Sequence, residues 1–373
     1  MRAVFWIGAG VIFYAYAGYA ACLWIWSWLS PKPVQRGSDQ PLVSLLMVVR
    51  NEESNLPRKL RNLLELNYPA ERMEFVVASD GSTDKTAEIL LAAATDRRFR
   101  VLVSREPKSK ASRLNDALAV AKGDIAVFVD ARQEIESDAL RLLVENFADS
   151  TVGCVSGELM LGDKTSGEAE KGMGIYWRIE KKIRELESAS GSVVGATGAL
   201  YAARTSLLSP IPPETILDDV LLPLNVARSG GRVIFDGRAR AWDDPDLGAK
   251  REFARKVRTL TGNYQLLQIA PWVLSRENPL RARFISHKLL RLAVPFALAA
   301  VLIASAAISD PWYRVALALQ LAFYALSLFA LSKQNVGPLT RVANVALTFI
   351  VLNTAAVVAF ANFVTRRKEV WVR

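Results

Sequence analysis

Four stretches of this chain carry no aspartate, glutamate, lysine or arginine: Ala3 to Ser30, Leu292 to Ser309, Val315 to Ser332 and Val342 to Thr365. A helix rises about 1.5 Å per residue and needs roughly 18–20 apolar residues to cross the hydrocarbon core of a bilayer. Each stretch meets that length, so an integral membrane protein is expected. The 373 residues would otherwise suffice for two or three soluble domains. The first stretch could be a secretory signal, but it is longer than a signal core, carries Trp24, Trp26 and Trp28 near its end, and runs into Pro31-Lys32-Pro33. Tryptophan suits the membrane interface, and the stretch reads as an uncleaved anchor.

The net charge of +10 (47 Lys+Arg against 37 Asp+Glu) raises the question of nucleic acid. Arg281, Arg283, Lys288 and Arg291 cluster just before an apolar stretch, which fits anionic lipid headgroups and the positive-inside rule. No helix-turn-helix, zinc-finger or RNP-type pattern accompanies them, so membrane lipids and not nucleic acid are the expected partner. The one histidine, His287, sits in that cluster and reads as an interfacial polar residue; it leaves no Ser-His-Asp triad. Cys22 lies in an apolar stretch and Cys154 in a strand-like one, so neither a disulfide nor a cysteine metal site is expected, and a reducing compartment is the default. Gly8-Ala9-Gly10 reads as a helix-packing contact.

From Pro31 to Arg291 the composition is that of a globular domain. Leu42–Val49, Phe75–Ala78, Phe99–Val103 and Ile125–Val129 read as strands. Leu56 to Leu64, Asp84 to Ala94 and Ala111 to Ala121 read as helices between them, with Asp84 at or near an N-cap. That alternation predicts an α/β fold with a mostly parallel, doubly wound sheet. Ligands bind such sheets at the carboxyl ends of strands. The polar clusters fall there: Arg50-Asn51-Glu52, Asp80-Gly81-Ser82 and Asp130. There is no GxGxxG after the first strand and no P-loop. A carboxylate can accept a uracil imide N–H or ribose hydroxyls, and one at a strand end can hold a hard divalent cation bridging phosphates. Any one of these residues could be a turn or cap; in this order and spacing they point to a nucleotide-diphosphate-sugar pocket.

The chain resembles the inverting family 2 glycosyltransferases of GT-A fold, in particular the membrane-integrated branch with cellulose, hyaluronan and poly-N-acetylglucosamine synthases. The motifs that carry the resemblance are Val49-Arg50-Asn51-Glu52-Glu53, Ser79-Asp80-Gly81-Ser82-Thr83-Asp84, Lys110-Ala111-Ser112-Arg113-Leu114-Asn115 and Val129-Asp130-Ala131-Arg132. Further along come Gly195-Ala196-Thr197-Gly198-Ala199, Leu217-Asp218-Asp219-Val220 and Arg255-Lys256-Val257-Arg258-Thr259. The resemblance implies that Glu52 and Asp80 hold uridine, with Arg50 stacking where relatives place an aromatic residue. It implies Lys110 on the diphosphate, Gly198 against the donor, and Asp130 as the metal ligand for Mg²⁺ or Mn²⁺. The second Asp of the family's Asp-x-Asp motif is replaced by Arg132, which leaves Glu134 or water to complete the metal shell. Asp219 is implied as the base that deprotonates the acceptor, with Asp218 supporting it and Arg255 and Arg258 stabilising the leaving diphosphate. Val220–Ala227 looks helical, so the two aspartates can serve as its N-cap as well.

The implied activity is transfer from a UDP-sugar to a growing polysaccharide or glycan acceptor. Thr259 stands where polymer-elongating relatives carry a tryptophan, so single-sugar transfer to a lipid or lipid-linked acceptor remains open, as does a non-catalytic nucleotide-sugar binder. Trp177 and Trp272 are possible sugar-stacking surfaces, with core or interfacial packing as the plainer reading. The expected organisation is an anchor at 1–30, a linker at 31–40, a cytoplasmic GT-A domain at 41–248, interfacial amphipathic helices at 249–290, about three spans within 291–365, and a basic tail at 366–373. Phe253, Val257, Leu260 and Tyr264 recur at helical spacing and predict a helix lying along the membrane face. The protein is expected in the plasma (inner) membrane. Four full spans would put Arg366-Arg367-Lys368 outside, so a re-entrant segment or an exceptional tail is expected.

Overall fold

The computed structural model describes residues 1–162, 175–243, 248–331 and 337–365. The expected basic tail at 366–373 lies outside the described residues. The chain opens with a long helix, α1 (Arg2–Leu29). Then follow β1 (Val43–Val49), α2 (Leu56–Leu64), β2 (Met73–Asp80), α3 (Thr86–Ala93), β3 (Phe99–Ser104), α4 (Lys110–Val120) and β4 (Ile125–Val129). The second half of the domain holds β5 (Glu134–Ile135), α5 (Ala139–Val144), β6 (Val152–Leu161), α6 (Ile175–Ala189), β7 (Leu200–Arg204), α7 (Asp218–Arg228) and β8 (Arg232–Asp243). A 22-residue helix, α8 (Gly248–Ile269), leads to α9 (Arg281–Ala307), α10 (Pro311–Ala330) and α11 (Pro338–Val364).

Among the described residues the strands form one sheet in the order β3-β2-β1-β4-β7-β6-β8-β5. The first four are parallel, as the strand–helix alternation predicts. Strand β7 runs antiparallel to both β4 and β6 and β5 antiparallel to β8, so the sheet is mixed where no sequence period announced a reversal. Strands β1, β2 and β4 are buried on both faces. Alternation does the sorting: Leu45, Met47, Phe75, Val77 and Val127 fill one core layer, and Leu46, Val76, Ala126 and Phe128 the other. The chain crosses from β1 to β2 on one side and from β3 back to β4 on the other side of β1, and a crevice opens at such a switch point. Arg50 and Asp130 directly follow β1 and β4 there.

Among the described residues four helices are long and apolar enough to cross a membrane. The protein is a membrane protein in that sense, and α1 packs on α9 as the glycine pair suggested. A Cβ at Gly8 would stand 2.8 Å from Val301 Cγ2 and 3.2 Å from the Ala297 carbonyl, while Gly10 faces open space. At the start of α1, Arg2 lies 3.4 Å from Asp310 and the Trp6 indole donates to the Tyr313 hydroxyl at 3.1 Å.

Of the basic cluster before the second span, Arg281 is exposed, but Arg283 and Arg291 turn toward the protein. Arg283 donates to the carbonyls of Glu187, Ser190 and Ser192, and Arg291 to Glu180 at 2.6 Å. His287 is buried within the protein, its Nε2 2.8 Å from Glu180 and its Nδ1 2.9 Å from Glu187, which also accepts from the Tyr19 hydroxyl. The carboxylates come from α6, about a hundred residues upstream, which no local pattern could show. Helix α9 accordingly begins at Arg281, ahead of the charge-free stretch. Removing one partner from such a buried ionic network leaves the others uncompensated, at a cost of about 3–5 kcal/mol. His287→Ala is therefore expected to lower the unfolding midpoint in detergent markedly, whereas an unchanged midpoint would mean that the network contributes nothing.

Helix α8 has two occupied faces. Gln265 Nε2 donates to the Glu214 carbonyl and its Oε1 accepts from the Ile216 amide at 3.0 Å, while Tyr264 packs on Phe360 and Phe363 of α11. It therefore bridges the α/β domain and the last apolar helix.

Candidate active site

Three polypeptide turns bring the candidate residues together at the β1/β4 crevice. Helix α4 starts at Ser109, whose hydroxyl caps the Ser112 amide at 3.0 Å, and this places Lys110 in the first turn. Lys110 Nζ lies 3.1 Å from Asp130 Oδ1 and 3.3 Å from Asp218 Oδ2. Asp218 and Asp219 open α7, where acidic side chains complement the exposed amides of a helix N-terminus. The 195–199 loop packs on them: the Ala196 amide donates to the Asp219 carbonyl at 2.7 Å, and a Cβ at Gly198 would stand 3.1 Å from Asp219 Oδ2. Gly198 thus clears space for the carboxylate.

The electrostatics of this cluster are strongly coupled. Burial raises the Asp219 carboxyl, Asp218 raises it further, and Lys110 opposes both; it is pushed up to about 6. Burial alone would pull the Lys110 ammonium down, but Asp130, Asp218 and Asp219 outweigh that and hold it above the usual lysine range. Tyr201 of β7 stacks on Phe128 with ring centroids 4.4 Å apart, and burial followed by the Asp218 charge pushes its hydroxyl well above the usual range.

At the other end of the crevice two turns interlock. The Thr83 amide donates to Asn51 Oδ1 at 2.8 Å, and the Glu52 amide to Thr86 Oγ1 at 2.8 Å. Asn51 adopts φ 55°, a left-handed position that asparagine tolerates. Gly81 has φ 61° and a Cβ there would stand 2.5 Å from Pro107 N, so only glycine fits. Glu52 is half-buried with Oε2 accepting from Asn55 at 2.8 Å, Arg50 is exposed, and Asp80 is buried.

Arg132, at the second position of the metal motif, pairs with Asp243 at the end of β8. Gln133 donates to the same Asp243 oxygen at 3.0 Å, and Arg255 approaches it to 3.9 Å. Arg258 is half-buried one turn further along α8. From below, Arg58, Lys59 and Asn62 of α2 donate to the carbonyls of Arg132, Gln133 and Ile135 at 2.7–2.8 Å. Burial lowers the Lys59 ammonium to about 7. These residues, with Asp243, were missed in the sequence: a lysine and an asparagine on an amphipathic helix look solvated until the β4–β5 connection is placed over them.

Asp130 is half-exposed and available to a cation, but among the described residues no group of three or more His, Cys, Asp or Glu side chains is placed to hold a metal. The chain therefore fits a hard divalent ion that takes one carboxylate here and fills its shell from substrate phosphates and water, which is the habit of Mg²⁺. Trp177 packs with Met160, and Trp272 lies 4.8 Å beneath the Arg228 guanidinium, so both serve packing. Cys22 and Cys154 are free. A cavity of about 650 Å³ lies at the opposite end of the sheet, lined by Pro41, Asp124 and Arg204, and includes none of the candidate site residues.

A mixed sheet of this order, with its acidic cluster at the switch point, has the GT-A-type architecture. The glycosyl transferase family 2 model matches residues 44–209. The chain is similar to the poly-beta-1,6-N-acetyl-D-glucosamine synthase of Staphylococcus aureus, at 24% identity over 64% of this chain and 58% of that protein. It is also similar to the probable glycosyltransferase YdaM of Bacillus subtilis, at 25% over 62% and 58%. The matched region thus spans little more than half the length of these relatives. Among solved structures, the mannosyltransferase PcManGT from Pyrobaculum calidifontis, determined with GDP-Man and Mn²⁺, superposes with a TM-score of 0.72 at 24% identity, covering 98% of this chain and 99% of that one. The shared fold therefore includes the apolar helices.

Proposed function

We propose that this protein is an inverting glycosyltransferase that moves a sugar from a UDP-sugar to a polysaccharide or glycan acceptor at the plasma (inner) membrane, with its α/β domain cytoplasmic. The observation that supports it most is the convergence of Asp130, Asp218 and Asp219 on Lys110, with Asp219 raised to about 6. A carboxylate with that value is unprotonated at neutral pH yet basic enough to accept a hydroxyl proton. In this reading Arg50, Glu52 and Asp80 receive the nucleoside, and Lys110, Arg255 and Arg258 face the diphosphate. Asp219 takes the proton from the acceptor hydroxyl as its oxygen bonds to the anomeric carbon. The bond from that carbon to the diphosphate oxygen breaks, and the diphosphate leaves with the electron pair. Asp218 holds Lys110 beside the departing charge.

Asp130 would hold a divalent cation, Mg²⁺ or Mn²⁺, which supplies charge neutralisation on the diphosphate. Excess chelator is expected to stop transfer, and either ion to restore it. Full activity in chelator would transfer that task to Arg132 and Arg255.

Single-sugar transfer to a lipid or lipid-linked acceptor is the second reading. It is favoured by Thr259, which is exposed and bonds its own helix through the Arg255 carbonyl at 3.0 Å, offering no aromatic platform for a chain of sugars. Membranes supplied with each labelled nucleotide sugar distinguish the two by product size. A ladder or polymer supports the first, one added sugar the second, and no transfer from any UDP-sugar would refute the donor assignment.

A further inference from the structure

Arg113 has no role in the chemistry described so far, yet it is among the most constrained side chains of the site. It lies in α4 with its side chain 10% exposed. Its Nε donates to Asp80 Oδ1 at 3.0 Å, Nη1 to Asp116 Oδ2 at 2.8 Å, and Nη2 to the Ser104 hydroxyl and, at 2.8 Å, the Glu106 carbonyl. The guanidinium therefore ties the end of β3, the 104–108 connection and α4 to the last residue of β2. The Lys108 amide adds a second bond to Asp80 Oδ1 at 2.8 Å. Among the described residues both donors to Asp80 fall on Oδ1, which leaves Oδ2 as its second acceptor. The 104–108 segment is also fixed by its close approach to Gly81, where Pro107 N occupies the space of a side chain.

A carboxylate locked to a guanidinium accepts hydrogen bonds and donates none. A ring edge placed against Asp80 Oδ2 must bring its own N–H. Uracil does so at N3 and guanine at N1. Cytosine N3 and adenine N1 are bare acceptors that would turn a lone pair toward the carboxylate, and their exocyclic amines reach it only with the ring displaced by one position. We propose that Arg113, by fixing Asp80 as an acceptor, is a positioning residue that selects nucleotide donors whose base carries a ring N–H, uridine or guanosine diphosphate sugars, over cytidine and adenosine ones. This rests on the reading of Asp80 as the base-binding carboxylate.

The test is direct binding of UDP, GDP, CDP, ADP and inorganic pyrophosphate to the full-length protein in detergent with Mg²⁺. The wild type is expected to bind the better of UDP and GDP about tenfold or more tighter than CDP and ADP, since unpaired polar groups penalise the wrong partner. Arg113→Met is expected to bring all four nucleotides to similar affinity while pyrophosphate binding stays as it was. Arg113→Lys keeps the cation without the fixed fork and is expected to move in the same direction, so it serves where the Met variant does not fold. CDP or ADP equal to the better of the two in the wild type would overturn the proposal. So would unchanged selectivity in the variant, or a loss of pyrophosphate binding that tracks the loss of nucleotide. Nucleotides that bind the wild type no tighter than pyrophosphate would instead refute the placement of the base at Asp80.

Discussion

Asp219→Asn is expected to lower transfer by about 10²–10⁴-fold, the usual contribution of a positioned general base, while nucleotide affinity stays within a few fold. The amide keeps the volume of the carboxylate, so the gap left by Gly198 remains filled and the first turn of α7 keeps its shape. Only the basicity is lost. The pH profile separates this from a packing effect. In the wild type the base form dominates above about 6, so the rate is expected to fall with each pH unit below that value and to level off above it. The Asn variant is expected to show its residual rate without that acid limb. Turnover close to wild type, or an acid limb that persists, would place the base elsewhere.

Lys110→Met is expected to cost about 10²–10³-fold, comparable with removing a charge-stabilising donor from a desolvated site. Lys110 is 3.1 Å and 3.3 Å from two carboxylates and is the principal counter-charge to Asp219. Without it three acidic groups would share the crevice without their nearest side-chain cation. Asp219 would then rise above its present value of about 6, and the acid limb would move to higher pH. The diphosphate would lose a cation at the same time, so donor affinity is expected to fall as well, unlike in Asp219→Asn. Steady-state kinetics across pH 5–9 in about half-unit steps reads both effects. An unmoved limb with normal donor affinity would mean that Lys110 only fastens α4 to the sheet.

The parallel half of the domain was legible in the residues because β-branched runs alternated with helical periods and ended in polar turns, as at Asp80 and Asp130. The mixed half was not. Leu200–Arg204 is apolar on both faces whichever way it runs, and its direction is set by pairing with Val129 and Ser156, far away in sequence. The acidic members of the site were readable as motifs at strand ends. Their supports were not: Lys59 and Asp243 bind by tertiary contact and carry no local signal, and Arg113 lies in the Lys110–Asn115 motif without any sign of its bond to Asp80. Charge placement misled once. Arg283, His287 and Arg291 look like a membrane-surface patch along the chain, but Glu180 and Glu187 of α6 draw two of them inward and backbone carbonyls satisfy the third. The apolar stretches, by contrast, needed nothing beyond length and the absence of charge.

The central claim is an inverting displacement driven by one carboxylate base, and the anomeric configuration of the product tests it most directly. Purified full-length protein supplied with α-linked UDP-sugars carrying ¹³C at the anomeric carbon, together with membrane extract as acceptor, is read by NMR. The account predicts a β-linked product from the wild type, formed about a hundredfold or more slower by Asp219→Asn. An α-linked product, or a β-linked one formed by Asp219→Asn at close to the wild-type rate, would contradict it.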